Sequence, residues 1–233
     1  MSIRRNKKEM LSINNSDVLI GGVDEAGRGS IIGPLIVAGI SVKESVVSKL
    51  RKMGVRDSKI LAPQTRAVLF SQIIHLVDSL CIYKIDCSEV DDSVFLNRLN
   101  KLEAEAMALV INNIQADKIY IDSCDVNPKR YRDCIECLLT PYKPKLYSMH
   151  RADSLNTVVS AASIIAKVVR DKEIQKIRKI HHNIGSGYPS DEKTMRFITT
   201  WVARYKCAPQ FARKSWKPSK IMLKECIPYH EEL

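Results

Sequence analysis

The sequence predicts an α/β fold in which a mixed central sheet is flanked by helices on both faces. Two observations predict this class. β-Branched runs come first along the chain, and strands then alternate with helices, which is the order expected when helices cover a sheet. The chain has 233 residues, of which 45% are hydrophobic, so it can bury a full core without disulfides or a structural metal.

The first half of the sequence contains the two runs that open the sheet. Val18–Asp24 is apolar and leads into the turn Gly27-Arg28-Gly29. A second β-branched run, Ile31–Val42, follows, so the pair is predicted to form a hairpin or meander around that turn. Pro63 suits the first turn of a helix. The other predictions for this half are a helix over Ser45–Met53, the apolar helix positions Leu69, Ile73, Val77 and Leu80, and a strand over Cys81–Asp86.

The second half alternates helices and strands. Thr157–Ile177 is mostly apolar in its first part and is predicted to be the buried helix. Ser190 is predicted to cap the helix Asp191–Tyr205, whose acidic first residues suit the positive end of the helix dipole. The other predicted elements are a long helix marked by Leu99, Leu102, Ala106, Leu109 and Val110, a strand over Lys118–Asp122, a helix from Pro128 to Leu139 and a strand over Lys145–Met149.

The composition favours a polyanionic partner and argues against several classes of protein. The 37 Lys+Arg and 26 Asp+Glu give a formal charge of +11, which favours nucleic acid, although a Lys-rich solvated surface would give the same excess. No apolar stretch is long enough to span a bilayer, and the basic start of the chain lacks the apolar core of a signal peptide. The odd count of seven cysteines indicates reduced thiols and a cytoplasmic protein.

Four carboxylates stand at the ends of apolar elements and predict a metal site. Asp24 and Glu25 end the first strand, Asp122 ends Ile119-Tyr-Ile, and Asp153 precedes the apolar helix. Buried carboxylates are costly unless paired or bound to a cation, and oxygen ligands suit Mg²⁺ or Mn²⁺. Taken singly, each is explained as an ordinary strand-end or helix-start residue. Together, beside a Gly-Arg-Gly turn in a basic protein, they favour metal-dependent phosphodiester chemistry.

Three further segments bear on nucleic-acid binding. The glycine turn is followed by a β-branched run rather than a helix, which argues against a dinucleotide-binding loop. Residues 201–220 hold six Lys/Arg and no Asp/Glu, interleaved with aromatic residues, as in a surface that binds phosphates and bases. The alternative is that Trp201 and Tyr205 lie on the apolar side of a helix and serve the core. Tyr188 is presented by a glycine-rich turn, where a packing role is the simpler reading.

The motifs and their order resemble type 2 ribonucleases H, the ribonuclease HII family, in its archaeal single-chain form. The opening motif is Gly22-Val-Asp-Glu-Ala-Gly-Arg-Gly-Ser-Ile-Ile-Gly-Pro-Leu, and the resemblance runs from residue 18 to residue 220. A set of motifs in one order is far more specific than any single one. The later motifs are, in order, Arg56-Asp-Ser-Lys, Ile121-Asp-Ser-Cys-Asp-Val, His150-Arg-Ala-Asp, Ser160-Ala-Ala-Ser-Ile-Ile-Ala-Lys-Val-Val-Arg-Asp, Gly185-Ser-Gly-Tyr-Pro-Ser-Asp and Arg213-Lys-Ser-Trp-Lys.

The resemblance implies a ribonuclease H-like fold with a C-terminal helical extension, and it assigns roles to residues. The family's four catalytic, metal-binding carboxylates are matched by Asp24, Glu25, Asp122 and Asp153, with Asp24 expected to bridge the ions. Gly27, Arg28 and Gly29 match the turn that contacts the ribonucleotide's 2′-hydroxyl and phosphates, and Tyr188 matches the tyrosine that stacks on the junction sugar. The basic residues assigned to the substrate are Lys59, Lys167, Arg170, Arg213 and Lys214.

The resemblance also implies the reaction. Members of the family hydrolyse the RNA strand of RNA–DNA hybrids and cut 5′ of single ribonucleotides embedded in duplex DNA. They use two divalent ions, Mg²⁺ or Mn²⁺, and leave 5′-phosphate and 3′-hydroxyl ends. We therefore expect a monomeric endonuclease for ribonucleotide removal and RNA primer processing. The sequence contains no motif from which we predict a contact with a replication clamp. The intact set of four carboxylates favours an enzyme over a binding module of the same fold that has lost catalysis.

The predicted organisation is a flexible basic extension over residues 1–16, a catalytic domain over 17–200 and a basic C-terminal helical segment over 201–233. Two residues depart from the family's pattern. Ser30 stands where many members have Pro, and we expect it to loosen the glycine turn. Cys124 adds a thiol beside the third carboxylate, and we expect its oxidation to inhibit the enzyme.

Overall fold

The computed structural model of the protein describes residues 18–56, 60–141 and 143–220. Its strands are β1 (Leu19–Ala26), β2 (Leu35–Lys43), β3 (Ser79–Ile85), β4 (Lys118–Asp122) and β5 (Lys145–Met149). They form one mixed sheet in the order β3-β2-β1-β4-β5, in which β2 is antiparallel to both of its neighbours and β4 is parallel to both of its own. The expected mixed α/β sheet is confirmed.

Helices cover both faces of the sheet. On one face, α7 (Thr157–His181) packs across β1 and β2, together with α1 (Glu44–Lys52) and α2 (Pro63–Ile74). On the other, α4 (Leu99–Ile114) and α5 (Pro128–Leu138) form a second apolar cluster with the sheet. The remaining helices are α3 (Cys87–Phe95), α6 (Ala152–Leu155) and α8 (Glu192–Tyr205). Within the described residues, no helix is both long and apolar enough to cross a membrane.

A close approach between β1 and α7 depends on a glycine. A Cβ atom at Gly22 would lie 2.4 Å from the carbonyl carbon of Val158 and 2.6 Å from the nitrogen of Val159, both in the first turn of α7. Only a residue without a side chain leaves room for that backbone. The same strand carries the first two predicted site residues, so this contact fixes their distance from α7.

The second β-branched run is shorter as a strand than predicted. β2 begins at Leu35, and Ile31 and Ile32 before it lie fully buried in the connecting segment. Their backbone N–H groups both donate to the carbonyl of Gly187, at 2.8 and 3.1 Å, rather than to a neighbouring strand. Ile32 also forms an isolated antiparallel bridge with Ala212, so the start of the run pairs with a distant segment and not within the central sheet.

Three local predictions were wrong in detail. Val77 and Leu80 lie outside the helix in which they were predicted, because α2 ends at Ile74, and Leu80 belongs to β3. α3 was not predicted. At its start, Glu89 accepts a hydrogen bond from the backbone N–H of Asp86 at 2.9 Å. An acidic residue three positions after the N-cap is a sequence signal for such a helix start. Asp191 rather than Ser190 caps α8, since its side chain accepts from the backbone of Lys193.

The C-terminal part of the described chain packs into the body of the protein. A third apolar cluster joins Ile31 and Ile32 to Ile174 of α7 and to Ile198 and Val202 of α8. The boundary predicted after residue 200 falls inside α8, so no break in the structure separates residues 201–220 from the sheet domain. The extension predicted over residues 1–16 lies outside the described residues, as does the part of the C-terminal segment after residue 220.

Candidate active site

Three aspartates meet at one end of the two central parallel strands. β1 and β4 pair with Val23 opposite Ile121, so Asp24 and Asp122 follow at the same level on neighbouring strands. Asp153 comes from α6, which is tied to β4 because the N–H of Ala152 donates to Asp122 Oδ1 at 2.8 Å. One carboxylate oxygen from each aspartate lies within 4.8 Å of the others.

Asp24 accepts hydrogen bonds from two neighbouring groups. The Ser163 hydroxyl on α7 and the N–H of Glu25, at 2.7 Å, both hydrogen-bond to Asp24. Asp24 and Asp153 are buried, whereas Asp122 is half-buried. Burial, followed by the neighbouring Asp122, raises the pKa of Asp24 to about 8. Ionisation of all three aspartates together is therefore unfavourable in the absence of a cation.

Glu25 adds a fourth carboxylate but stands apart from the group of three. It lines the same cavity, of about 250 Å³, and burial and the charge of Asp24 raise its pKa well above the usual range. Its Oε2 atom is buried and has no hydrogen-bond partner among the described residues. A cluster of carboxylate oxygens fits a hard divalent ion, so Asp24, Asp122 and Asp153, with Glu25 beside them, are the residues that would hold it.

The raised pKa of Asp24 gives a pH dependence that can be measured. An unfolded Asp has a pKa near 3.8, so between that value and about 8 the folded, metal-free protein binds more protons than the unfolded chain. Its stability should therefore fall as the pH rises through this window. Because a divalent ion binds the ionised carboxylates, saturating Mg²⁺ should raise the melting temperature more at pH 8.5 than at pH 6. Equal shifts at the two pH values would contradict the assignment, and Asp24→Asn should reduce the difference.

The glycine turn is braced from inside by a buried arginine. Arg213 is 0% exposed, and its guanidinium donates to the carbonyls of Arg28 at 2.6 Å and Gly27 at 2.7 Å. Its expected role as a surface contact for the substrate is corrected, because all of its side chain lies beneath the turn. In a trans peptide the N–H points opposite to the carbonyl, so the N–H groups of Arg28 and Gly29 point away from Arg213.

Ser30 closes the turn rather than loosening it. Its side chain is fully buried, and its hydroxyl donates to the carbonyl of Gly27 at 2.8 Å. The backbone N–H of Ser30 reaches the same carbonyl at 3.2 Å. The expectation of a looser turn was wrong, since the hydroxyl supplies a hydrogen bond that Pro lacks.

The side chain of Arg28 is held by two residues that the sequence analysis missed. Its Nε donates to Glu103 at 3.0 Å, and its Nη2 donates to Asn100 Oδ1 at 2.8 Å, both on α4. Burial raises the pKa of Glu103, although the charge of Arg28 acts against this. One clue was present in the sequence: Glu103 falls on the helical face marked by Leu99 and Ala106.

Tyr188 faces the carboxylate cavity and rests on two cations of α7. The Arg170 guanidinium carbon lies 4.4 Å from the centre of its ring, and the Lys167 Nζ lies 5.3 Å from it. Lys167 also lines the cavity. Arg170, by contrast, is 1% exposed, so it supports the ring from behind rather than reaching into the cavity.

The other two predicted substrate residues, Lys59 and Lys214, are not among the described residues that line the carboxylate cavity. Lys59 is outside the described residues. Lys214 is exposed, but it lines a separate cavity of about 540 Å³ beside α3. Trp201 packs edge-on to Phe211, which lies against the third apolar cluster, and this favours a role for Trp201 in the core. Tyr205 is 50% exposed.

Cys124 and Asp125 take structural roles beside the site. The Cys124 thiol lies 3.1 Å from Glu103 Oε2 and donates to it, and burial raises its pKa. Because the thiolate is the form that reacts, oxidation of Cys124 as an inhibitory event is disfavoured. Asp125 accepts two bonds from Arg130, at 2.6 and 2.8 Å, and one from Asn100, whereas the cap of α5 is Asn127.

A family model, curated proteins and solved structures each match this chain over most of its length. The family model described as Ribonuclease HII matches residues 21–219. A curated ribonuclease HII of Cenarchaeum symbiosum (strain A) is 43% identical over 205 residues, which are 88% of this chain and 98% of the relative. The crystal structure of ribonuclease H2 from Pyrococcus horikoshii OT3 is similar with a TM-score of 0.84 and 38% identity, covering 90% of this chain and 99% of that chain. The ribonuclease HII in a complex with PCNA from Archaeoglobus fulgidus is similar with a TM-score of 0.79 and 33% identity, covering 87% and 96%.

Proposed function

Because the chain belongs to the ribonuclease HII family, and is therefore a metal-dependent endoribonuclease, we propose that it cleaves RNA–DNA hybrids and also cuts 5′ of a single ribonucleotide in duplex DNA. One observation carries the proposal: the three aspartates, the Gly-Arg-Gly turn and Tyr188 all line the same cavity. Groups suited to hydrolysis thus share a space with groups suited to recognising a ribose. Cleavage can then depend on the sugar that occupies the cavity.

The carboxylates supply the catalytic part of the site. Asp24, Asp122 and Asp153 would hold two divalent ions, and Glu25 lies on the wall of the same cavity. When bound, such ions activate water and offset the charge that builds on the phosphate. Hydrolysis on the 3′-oxygen side of the scissile phosphate would leave 5′-phosphate and 3′-hydroxyl ends, as expected from the family resemblance.

The Gly-Arg-Gly turn supplies the groups that would distinguish a ribonucleotide from a deoxyribonucleotide. A 2′-hydroxyl both donates and accepts hydrogen bonds, and it is the group that distinguishes RNA from DNA at a given position. Arg213 binds the carbonyls of Gly27 and Arg28. The N–H groups of Arg28 and Gly29 therefore point to the opposite side of the turn, where they can donate to a ligand. These donors and the Arg28 guanidinium suit a hydroxyl oxygen and the phosphates on either side of it.

The decisive experiment uses one duplex sequence in three forms: all DNA, one embedded ribonucleotide, and a continuous RNA–DNA hybrid. With Mg²⁺ or Mn²⁺, we expect a single cut 5′ of the lone ribonucleotide, several cuts in the hybrid and none in DNA. The ends are identified by whether the downstream fragment accepts ligation directly and the upstream fragment is extended by a polymerase. Cleavage of the hybrid alone would contradict the proposed action on single ribonucleotides, and cleavage of the all-DNA duplex would contradict recognition of the ribose.

Tyr188→Ala should affect the two ribonucleotide substrates unequally. A lone ribonucleotide offers one sugar to the ring, whereas a hybrid offers many alternative positions, so the loss of kcat/KM should be on the order of ten-fold greater for the lone ribonucleotide. Tyr188→Phe is the matched control, because it keeps the ring over Arg170 and removes only the hydroxyl. Steady-state cleavage of both substrates measures the ratio, and equal losses would remove the proposed role of Tyr188 at the junction.

A further inference from the structure

Arg28 reaches the cavity with one edge of its guanidinium already hydrogen-bonded to the protein. Its Nε lies 2.9 Å from Glu103 Oε1 and donates to Oε2 at 3.0 Å, while Nη2 donates to Asn100 at 2.8 Å. Nε and Nη2 form one edge of the planar guanidinium. The opposite edge, formed by Nη1 and the outer hydrogen of Nη2, has no hydrogen-bond partner among the described residues, and 38% of the side chain is exposed.

Glu103 is an unusual residue for its position. The other buried residues of α4 are all apolar, and the Glu103 side chain is 0% exposed. A carboxylate in such a place is costly unless a cation and hydrogen bonds compensate it. Arg28 supplies the cation, and the Cys124 thiol supplies one more donor at 3.1 Å. An apolar residue would pack better at this position, so the role of Glu103 is to hold Arg28.

Asn100 is oriented by a second set of contacts. Its amide nitrogen donates to Asp125 Oδ2 at 3.0 Å, which leaves its oxygen towards Arg28. Asp125 is in turn fixed by Arg130 and by the backbone N–H of Asn127 at 2.8 Å. A continuous chain of hydrogen bonds therefore runs from the start of α5 to the Arg28 guanidinium.

We propose that Glu103 and Asn100 are positioning residues that hold Arg28 with its free edge presented to a phosphate of the ribonucleotide-containing strand. The inference rests on the proposed function, since it requires the Gly-Arg-Gly turn to contact substrate. An unrestrained arginine loses rotamer freedom when it binds a phosphate, whereas one already held loses much less. Planar guanidinium edges also recognise phosphate oxygens in a fixed geometry, so a held edge selects the position of the strand.

The test is a double-mutant cycle on the duplex with one embedded ribonucleotide. Arg28→Ala should raise KM about thirty-fold, and Glu103→Gln should raise it about ten-fold, with kcat nearly unchanged because the phosphate contact is made equally before and during cleavage. In the Arg28→Ala background, Glu103→Gln should cause no further rise in KM. A normal KM for Glu103→Gln, a loss confined to kcat, or effects that multiply in the double variant would each overturn the proposal.

Stability measurements separate positioning from folding. Arg28→Ala leaves Glu103 buried without its cation and should lower the melting temperature, and adding Glu103→Gln should restore it. Arg28→Lys keeps a cation for Glu103 but loses the planar edge, so it should raise KM with little change in melting temperature. This variant tests the inference even if Arg28→Ala folds poorly, and a normal KM for it would overturn the role of the edge. Glu105→Gln, at an exposed site two residues further along α4, is the matched control and should leave both readouts unchanged.

The outcomes also distinguish this inference from the proposed function. If Arg28→Ala changes neither kcat nor KM, the Arg28 guanidinium does not contact the substrate, and that part of the proposed function fails. If Arg28→Ala is impaired while Glu103→Gln behaves like the unaltered protein, only the positioning role fails. Cleavage of the single-ribonucleotide duplex by the unaltered protein is the reference for both conclusions.

Discussion

Replacing Asp24 with Asn should lower the rate of cleavage by on the order of 10³-fold or more, yet raise the stability of the metal-free protein. Asn has the shape of Asp and keeps an oxygen for the N–H of Glu25, but it removes a charged oxygen ligand from a group of three. Stability should rise because burial and Asp122 disfavour the ionised form of Asp24. The gain should be largest above pH 8, where the unaltered side chain must carry its charge.

Single-turnover cleavage and thermal unfolding, measured on the same preparation, test both parts of this prediction. Asp133→Asn is the matched control, since Asp133 pairs with Arg132 on α5 and does not line the carboxylate cavity. It should leave both quantities unchanged. Undiminished cleavage by Asp24→Asn would exclude Asp24 from the catalytic site, and a joint loss of activity and stability would indicate damage to the fold instead.

Gly22→Ala should destabilise the protein by about 3 kcal/mol or more, because the added methyl group meets backbone atoms rather than a flexible side chain. Its Cβ would lie within 2.6 Å of atoms of Val158 and Val159, so either β1 or the start of α7 must move. Ser163, which hydrogen-bonds Asp24, lies on the same helix. Activity should therefore fall with stability, even though residue 22 touches no substrate.

Urea unfolding measures the stability change, and Gly29→Ala is the matched control. A Cβ atom at Gly29 would meet no heavy atom within 4 Å, so the midpoint of unfolding should stay close to that of the unaltered protein. Because Gly29 belongs to the turn proposed to contact substrate, only the unfolding midpoint of Gly29→Ala, and not its activity, serves as the control. Equal midpoints for the two variants would show that β1 and α7 can separate at little cost.

The strands and most of the helices followed from local patterns in the sequence. The predicted strand Lys118–Asp122 and the strand Lys145–Met149 have the predicted bounds, and the helix from Pro128 ends within one residue of its prediction. These segments are bounded by Pro or by charged residues, which mark ends locally. The run Ile31–Val42 misled because its first residues are buried by Gly187 and α8, contacts that a local pattern does not contain.

The burial of individual basic residues could not be predicted from the sequence. Arg213 sits in a Lys-rich motif and reads as a surface cation, yet it is buried beneath the glycine turn. Arg170 follows the same pattern behind Tyr188. The charge of an arginine says that it needs acceptors or an aromatic face, but it does not say whether these belong to a ligand or to the protein.

The sequence by itself determined the family and the α/β class and predicted four candidate acids, because these are carried by contiguous motifs and by local periodicity. Only the tertiary structure decided how the motifs combine: that the parallel pairing of β1 and β4 brings two aspartates level, and that α6 adds the third. It also decided that Arg28 is held by Glu103 from a helix 75 residues away in the chain. The physical reason is that strand register and helix packing are fixed by contacts between distant segments, which no local pattern encodes.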